Sequence, residues 1–394
     1  MKKIAIGLIG LIGLISPINA QGFNLSWHGF VNPHYYADSR SVVGGREDMM
    51  LFYPKPMLRD SLGNDLNDGW QANMLAITAR LGLTITGPEM LGANTMAYIE
   101  GDFTGSTNAT INDLRLRHAY FRMCWDSHEL TIGQYWYAMV VHEIMPMTNP
   151  LNMGAPFHCY ARQPQIRYSF FPSGNWELMA VTQWQLDNMS QGLLNGTPTS
   201  STLFARHSLI PELNAQVRYR NGDLFLGAAV NLKTIQPIVQ TVYTAVQPST
   251  ELYTSPSYSV FGKVNLGQVT VKVQTLLNNS LYEGCSLGGY LMLADTTFRD
   301  WHFNTVWLDI ERNRGHWCPG IFMGYAKNLD YGNTNFAYCF GRGHDIEYLW
   351  RVQPRLTYTT GKGLSFVGEA EYTYAGYDEP VGNLRLSLSA IYAF

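Results

Sequence analysis

From Asn383 the sequence reads N-L-R-L-S-L-S-A-I-Y-A-F, and every second residue from Leu384 to Phe394 is apolar. Arg385, Ser387 and Ser389 stand between them, then Ile391 and Ala393. Period two is the mark of a strand with one oily and one polar face. The same rhythm recurs along the chain at a spacing of about ten residues. It starts with Phe23, Leu25, Trp27, Gly29 and Val31 against Asn24, Ser26 and His28. A second stretch sets Leu75, Ile77, Ala79, Leu81, Leu83 and Ile85 against Thr78, Arg80, Thr84 and Thr86. Ala97 and Ile99 oppose Glu100 and Asp102; Leu114, Leu116 and Tyr120 oppose Arg115 and Arg117. Further strands are expected near 129–142, 160–171, 175–186, 212–220, 224–233, 257–266, 269–279, 301–311, 317–326, 345–358, 364–375 and 383–394, sixteen in all. The segment 301–311 has an ambiguous register.

The connections alternate in length. Seven short ones carry hairpin residues, such as P-S-G-N (172–175), R-N-G-D (220–223) and Gly267–Gln268. Eight long ones lie between them, near 37–71, 104–111, 143–159, 187–211, 234–256, 280–300, 327–344 and 376–382. Short turns at one end and long loops at the other belong to outer-membrane barrels. Trp125, Phe170, Phe171, Trp176, Tyr219, Trp317, Tyr358, Tyr392 and Phe394 gather beside the short turns, as an interfacial girdle requires. The expected fold is all-β: a transmembrane antiparallel β-barrel of about sixteen strands. In a closed barrel the last strand pairs with the first and no edge is left. Phe394 would then close the wall at the membrane interface.

Composition narrows the choice. Past residue 20, no stretch approaches eighteen consecutive apolar residues, so helical membrane spans are excluded. The chain is 13% aromatic and 14% charged, unlike a disordered chain or an ordinary soluble enzyme. Tandem soluble β-sandwiches would need two or more cores, and no linker separates them. Residues 1–20 have a short basic start, an apolar run from Ile4 to Ile15 and Ala20 before Gln21, the features of a secretory signal peptide. Cleavage there leaves 374 of the 394 residues and removes Lys2 and Lys3, taking the net charge from −3 to about −5. That balance argues against nucleic acid as a partner. Five cysteines without a C-x-x-C read as scattered small apolar residues, although Cys285 and Cys339 are candidates for one oxidised pair.

Three stretches carry a family likeness: Y-I-E-G-D-F from Tyr98, L-R-L-R-H-A-Y from Leu114, and L-T-I-G-Q-Y-W up to Trp136. They resemble the porin family that includes the DcaP-like and phosphate-selective (O/P-type) outer-membrane porins. The specific match covers about a tenth of the chain; elsewhere strand rhythm and the terminal aromatic agree. The C-terminal pattern is also similar to the signal by which outer-membrane barrels are recognised for insertion. The resemblance implies a trimeric sixteen-stranded barrel in the bacterial outer membrane that passes small, often anionic solutes. Arg115 and Arg117 take the place of the family's lumen-facing arginine pair. Some relatives begin with a helical coiled coil; here the first strand follows residue 20 almost at once, so trimerisation through such a segment is not expected.

If apolar side chains face lipid, their neighbours face the lumen. The basic lumenal candidates are Arg80, Arg115, Arg117, Arg167, Arg218, Lys233, Lys263, Lys272, Arg351, Arg355 and Arg385. The acidic ones are Glu100, Asp102, Glu177, Glu347, Glu369 and Glu371, so the interior is expected to be mildly positive. Rings of Arg and Lys favour anions, and the planar guanidinium suits carboxylate and phosphate. Arg80, Glu100, Asp102, Arg115 and Arg117 lie on consecutive strands. They form either a selectivity ladder or an ion-pair network that stiffens the wall. The third long connection, 143–159, is expected to fold inward, its prolines limiting its freedom. Its methionines and Phe157 would pack on the inner wall, and Glu143 and His158 would edge the constriction.

Other motifs lack their context. G-C-S-L-G at Gly284–Gly288 spells a nucleophile elbow but falls in a loop between strands. H-E-I-M-P at His142 lacks the second histidine of a zincin. Asn108, Asn188, Asn195 and Asn279 stand in N-x-S/T sequons, which mean little in a bacterial envelope. The sequence thus reads as a non-enzymatic porin needing no cofactor, partnered by lipid, small hydrophilic solutes and copies of itself. A non-conducting accessory barrel of a larger complex is the first alternative and a barrel lipase or protease the second. An active transporter is not expected, since no plug domain precedes the barrel.

Overall fold

The computed structural model describes residues 22–149, 153–186, 188–242, 249–277 and 281–394. The expected signal segment, Pro150 and the Asn279 sequon lie outside them. The main sheet has eighteen hydrogen-bonded segments. Two pairs of segments are halves of single wall strands, so the wall has sixteen strands. Strand β1 is Asn24–Val31 continued by His34–Arg40, and β2 is Asp68–Leu75 continued by Arg80–Thr86. Then come β3 (Asn94–Asp102), β4 (Arg115–Cys124), β5 (His128–Trp136), β6 (Arg162–Ser173), β7 (Trp176–Gln183) and β8 (Glu212–Asn221). The rest are β9 (Leu224–Ile235), β10 (Tyr253–Leu266), β11 (Val269–Leu277), β12 (Phe303–Arg312), β13 (Trp317–Asn328), β14 (Tyr348–Thr359), β15 (Leu364–Ala375) and β16 (Val381–Ala393).

Each wall strand pairs antiparallel with the next, and β16 returns to β1 through Val31↔Tyr392 and His34↔Ser389. The backbone of Phe394 exchanges two 3.0 Å hydrogen bonds with Gly29, so the seam is fully paired. The expected strands and the alternation of short and long connections are all present. The largest differences are in two connections. The first long one is shorter because β1 runs on to Arg40, and the third is longer because the strand expected over 129–142 ends at Trp136, with His142–Ile144 already in a helical turn of the inner loop. Pro33, with no N–H for the ladder, marks the break in β1. Its carbonyl still accepts from Ala390 at 3.2 Å. Strand β2 breaks between Leu75 and Arg80, and Ile77, expected on the outer face, turns inward onto Tyr36 and Met49.

Outward positions form an apolar belt: Trp27, Leu81, Ile99, Phe121, Leu178, Leu226, Val260, Val306, Leu356 and Leu386 are all exposed. A belt that encircles a closed barrel is the lipid face of a membrane barrel. Ring pairs at the short-turn end, Trp176–Tyr219 at 4.9 Å and Trp317–Tyr358 at 4.7 Å, sit where a girdle is needed.

The interior is not uniformly polar. Residues from the connection 137–161, including Met139, Val141, Ile144 and Phe157, pack against Phe225, Phe261, Trp307 and Phe322 of the wall. This explains why 301–311 reads ambiguously. Trp301, Phe303 and Trp307 turn inward onto the loop while Val306 faces out, so both faces of the segment are apolar. Gly324 has no side chain because Phe157 occupies the space; a Cβ there would lie 2.6 Å from its ring. A hairpin, Val42–Gly45 with Met50–Pro54, also lies inside and joins the same cluster through Phe52 and Tyr53. All five cysteines are free thiols, so Cys285 and Cys339 are not joined.

Candidate functional site

Strands β2 to β4 bring the five predicted charges together. Arg117 donates from Nε to Glu100 at 2.5 Å and from Nη1 to Asp102 at 2.8 Å. Arg115 grips Asp102 with two bonds, 3.2 and 3.0 Å. Arg80 stands 3.6 Å from Glu100, its guanidinium over the Phe30 ring. Arg117 is fully buried, whereas Arg80 and Arg115 keep part of their side chains accessible. Its Nη2 has no hydrogen-bond partner among the described residues.

A β-bulge makes this arrangement possible. The β3–β4 register slips between Glu100↔His118 and Gly101↔Leu116, so Arg117 and His118 both point inward. A bulge re-aims the side chains that follow it. Tyr120, read from the sequence as facing lipid with Leu116, therefore turns into the barrel beside Tyr98 and Tyr135. Gln134 caps the bulge, donating to the carbonyls of Leu116 and Arg117. Gly133 is obligatory beside it: its φ is +130°, and a Cβ would stand 2.2 Å from the Ala119 carbonyl oxygen.

The other predicted arginines do different work. Arg167 is buried, bonded to Gln165 and the Trp136 carbonyl and stacked on Tyr135. Arg351 pairs with Glu371 at 3.0 Å and donates to the carbonyls of Ala155, Leu51 and Phe52. Arg355 takes Asp309 at 2.7 Å and Glu311 at 2.9 Å. Arg385 takes Asp38 and the carbonyls of Asp48 and Met49. Thus Arg351 and Arg355, expected to line open lumen, are buried in ion pairs, and Arg351 also ties the inner loops to the wall. Burial exacts a large desolvation cost, and only partners this complete offset it.

The two constriction candidates separate. Glu143 remains partly accessible and lies 3.3 Å from both Arg218 and Arg220. Burial acts against its charge, but Arg218 and Arg220 outweigh it and hold the carboxyl below its ordinary range. His158 does not edge an opening. It is fully buried, donates from Nδ1 to Gln274 at 2.7 Å and meets Trp307 edge-on. Burial lowers its imidazole to about 4, so it is neutral near pH 7.

Several functional residues escaped the sequence reading. Asp38, Asp309, Glu311 and Glu283 take up Arg385, Arg355, Lys272 and Lys233, cancelling much of the expected positive excess. Asp309 and Glu311 sit in the segment whose register could not be read. Glu347 faces no lumen; it pairs with Lys327 at the long-loop rim. On that same side a cavity of about 460 Å³ opens beside the ladder. Arg46, Arg115, Arg162 and Arg342 line it together with Tyr160 and Asn108, and no Asp or Glu is among its described lining residues. Arg46 and Arg342 come from long loops, and Arg162 starts β6 where the sequence shows no alternation around it. Ser286 of G-C-S-L-G is buried, donates to the Pro156 carbonyl and is followed by a strand rather than a helix.

No protein-family model matches the chain, and no curated protein does. Among solved structures it is similar over about 95% of its length to outer-membrane channels. The outer membrane channel DcaP of Acinetobacter baumannii superposes with a TM-score of 0.70 at 18% identity, covering 95% of this chain and 98% of that one. The anion-selective porin from Comamonas acidovorans gives 0.57 at 11% identity, over 94% and 100%. A trimer form of the outer membrane protein OmpT of Vibrio cholerae gives 0.55 at 9% identity, over 95% and 100%.

Proposed function

We propose that the chain is a bacterial outer-membrane porin through which small hydrophilic solutes, anions preferred, diffuse passively. The arginine-lined cavity without a carboxylate supports this most directly. A cationic lining lowers the barrier to anions. The apolar belt supports a lipid surround, and the trimeric neighbour supports a homotrimer. Arg80 and Arg115, braced by Glu100 and Asp102, would line the passage, with Arg117, expected there too, buried behind them as a brace, and Glu143 would stand at its edge. The mechanism needs no covalent step: a solute exchanges part of its hydration shell for guanidinium donors and moves on down its gradient.

Purified protein in planar bilayers tests this. Stable ohmic steps with a reversal potential on the anion side are expected. Silence would favour the second reading, a non-conducting accessory barrel, which draws support from the apolar cluster filling the middle of the interior. Replacing Ser286 by Ala is expected to leave conduction unaltered and to remove no lipid hydrolysis.

A further inference from the structure

Tyr160 sits where the inner loop meets β6, and its hydroxyl lies between two arginines. Arg117 Nη1 is 3.4 Å away and Arg162 Nη1 is 3.3 Å away. Both nitrogens are donors only, so the phenol oxygen accepts from two cations. No described residue accepts the phenol proton in return. The ring is held by Trp136, 5.6 Å between centroids, and the backbone N–H is fixed on the Gly284 carbonyl at 2.6 Å. The phenol therefore has a fixed place on the wall of the arginine-lined cavity.

The charges around it do not balance. Arg80 approaches from β2, Arg115 and Arg117 from β4, and Arg162 from β6. Against these four guanidinium groups stand two carboxylates, Glu100 and Asp102 of β3, both already held by arginine. Arg46 and Arg342 add further positive charge across the cavity. His118 of β4 and His142 of the inner loop both pack against the Trp136 indole. Cys159 and Cys285 are the neighbouring thiols, and burial pushes both above their ordinary range, so they stay neutral. Burial opposes ionisation of Tyr160 as well. Here, however, Arg117, Arg162, Arg80 and Arg115 outweigh it and bring the phenol down to about 7.

We propose that Tyr160 is a specificity-determining residue that sets the strength of anion preference by exchanging phenol for phenolate among four guanidinium groups. The proton leaves to water in the cavity, and the phenolate accepts the same two N–H groups as charge-assisted bonds. The four-to-two balance then falls from two net positive charges to one. Anion preference is strong on the acid side and weakens as pH rises. The inference rests on the porin reading.

Two measurements on wild type and Tyr160→Phe test it, with correct folding of both checked by heat-modifiable gel mobility. In near-ultraviolet titration, wild type should form one phenolate as pH passes about 7, and the variant none there. Ordinary tyrosines ionise only near pH 10. In bilayers, the anion-to-cation permeability ratio of wild type should drop on the order of twofold across the same range. That of Tyr160→Phe should keep its acid-side value. A pH-independent ratio in wild type, an unchanged drop in the variant, or no neutral-range phenolate overturns the inference alone. Silence in the bilayer overturns the porin reading and the role of Tyr160 with it.

Discussion

On the β2–β6 side of the interior, four guanidinium groups meet two carboxylates beside an accessible cavity. On the β12–β16 side, Arg351, Arg355 and Arg385 meet Glu371, Asp309, Glu311 and Asp38, and two of the three also bind loop carbonyls. The residue type is the same and the stoichiometry differs. Where arginines outnumber acids beside an accessible cavity, the uncompensated charge is available to a passing solute. Where each is matched and dry, the charge is spent on holding loops to the wall. Arginine count alone therefore says little about selectivity; the acids and carbonyls beside each guanidinium decide.

The sharpest way to break that contrast is to remove an anchor. Arg351→Ala leaves Glu371 buried without its counter-ion and three loop carbonyls without their donor. A broken buried pair costs about 3–5 kcal/mol. The expected result is a loss of that size in urea unfolding and larger, noisier conductance steps as the inner loops loosen. A loss below about 1 kcal/mol, the scale of a surface pair, would show that the two sides do not differ in kind.

The same contrast explains what the sequence revealed. The wall was legible because its physics is local and periodic: lipid outside imposes period two, and turns impose the strand count. Arg80, Glu100, Asp102, Arg115 and Arg117 were legible because they sit in register on adjacent strands. Tyr120 was misread because one extra residue at Arg117–His118 reverses parity, and a bulge leaves no compositional trace. His158 was misplaced because a loop residue's surroundings depend on contacts over 100 residues away, here Gln274. Arg46 and Tyr160 belong to irregular segments and Arg342 ends a short strand inside a long loop, where no sustained period announces which way a side chain points.

A milder change should move selectivity and leave stability nearly untouched. In Arg115→Ala, Asp102 keeps Arg117 at 2.8 Å and the Thr104 hydroxyl, so no buried acid is stranded. Unfolding free energy should change by less than about 1 kcal/mol. The anion-to-cation permeability ratio should fall by roughly twofold. If Arg115→Ala instead destabilises the barrel as much as Arg351→Ala does, both sides are structural and the cavity has no special claim on anions.

The smallest effect concerns Glu143, which joins the inner loop to the wall through Arg218 and Arg220. Its carboxyl lies below the ordinary range in the folded protein. The unfolded chain then binds the proton more tightly, so the pair stabilises the fold above the free carboxylate value of about 4.3. That contribution is lost as pH falls from there through the depressed folded value. A partly accessible pair gives at most about 1 kcal/mol. Glu143→Gln should therefore lose less stability than wild type on acidification below about pH 4.3, and the two should differ by a constant amount above it. Parallel curves through the acid range would mean that Glu143 is held by the loop backbone and that Arg218 and Arg220, like the arginines near Tyr160, keep their charge for solutes.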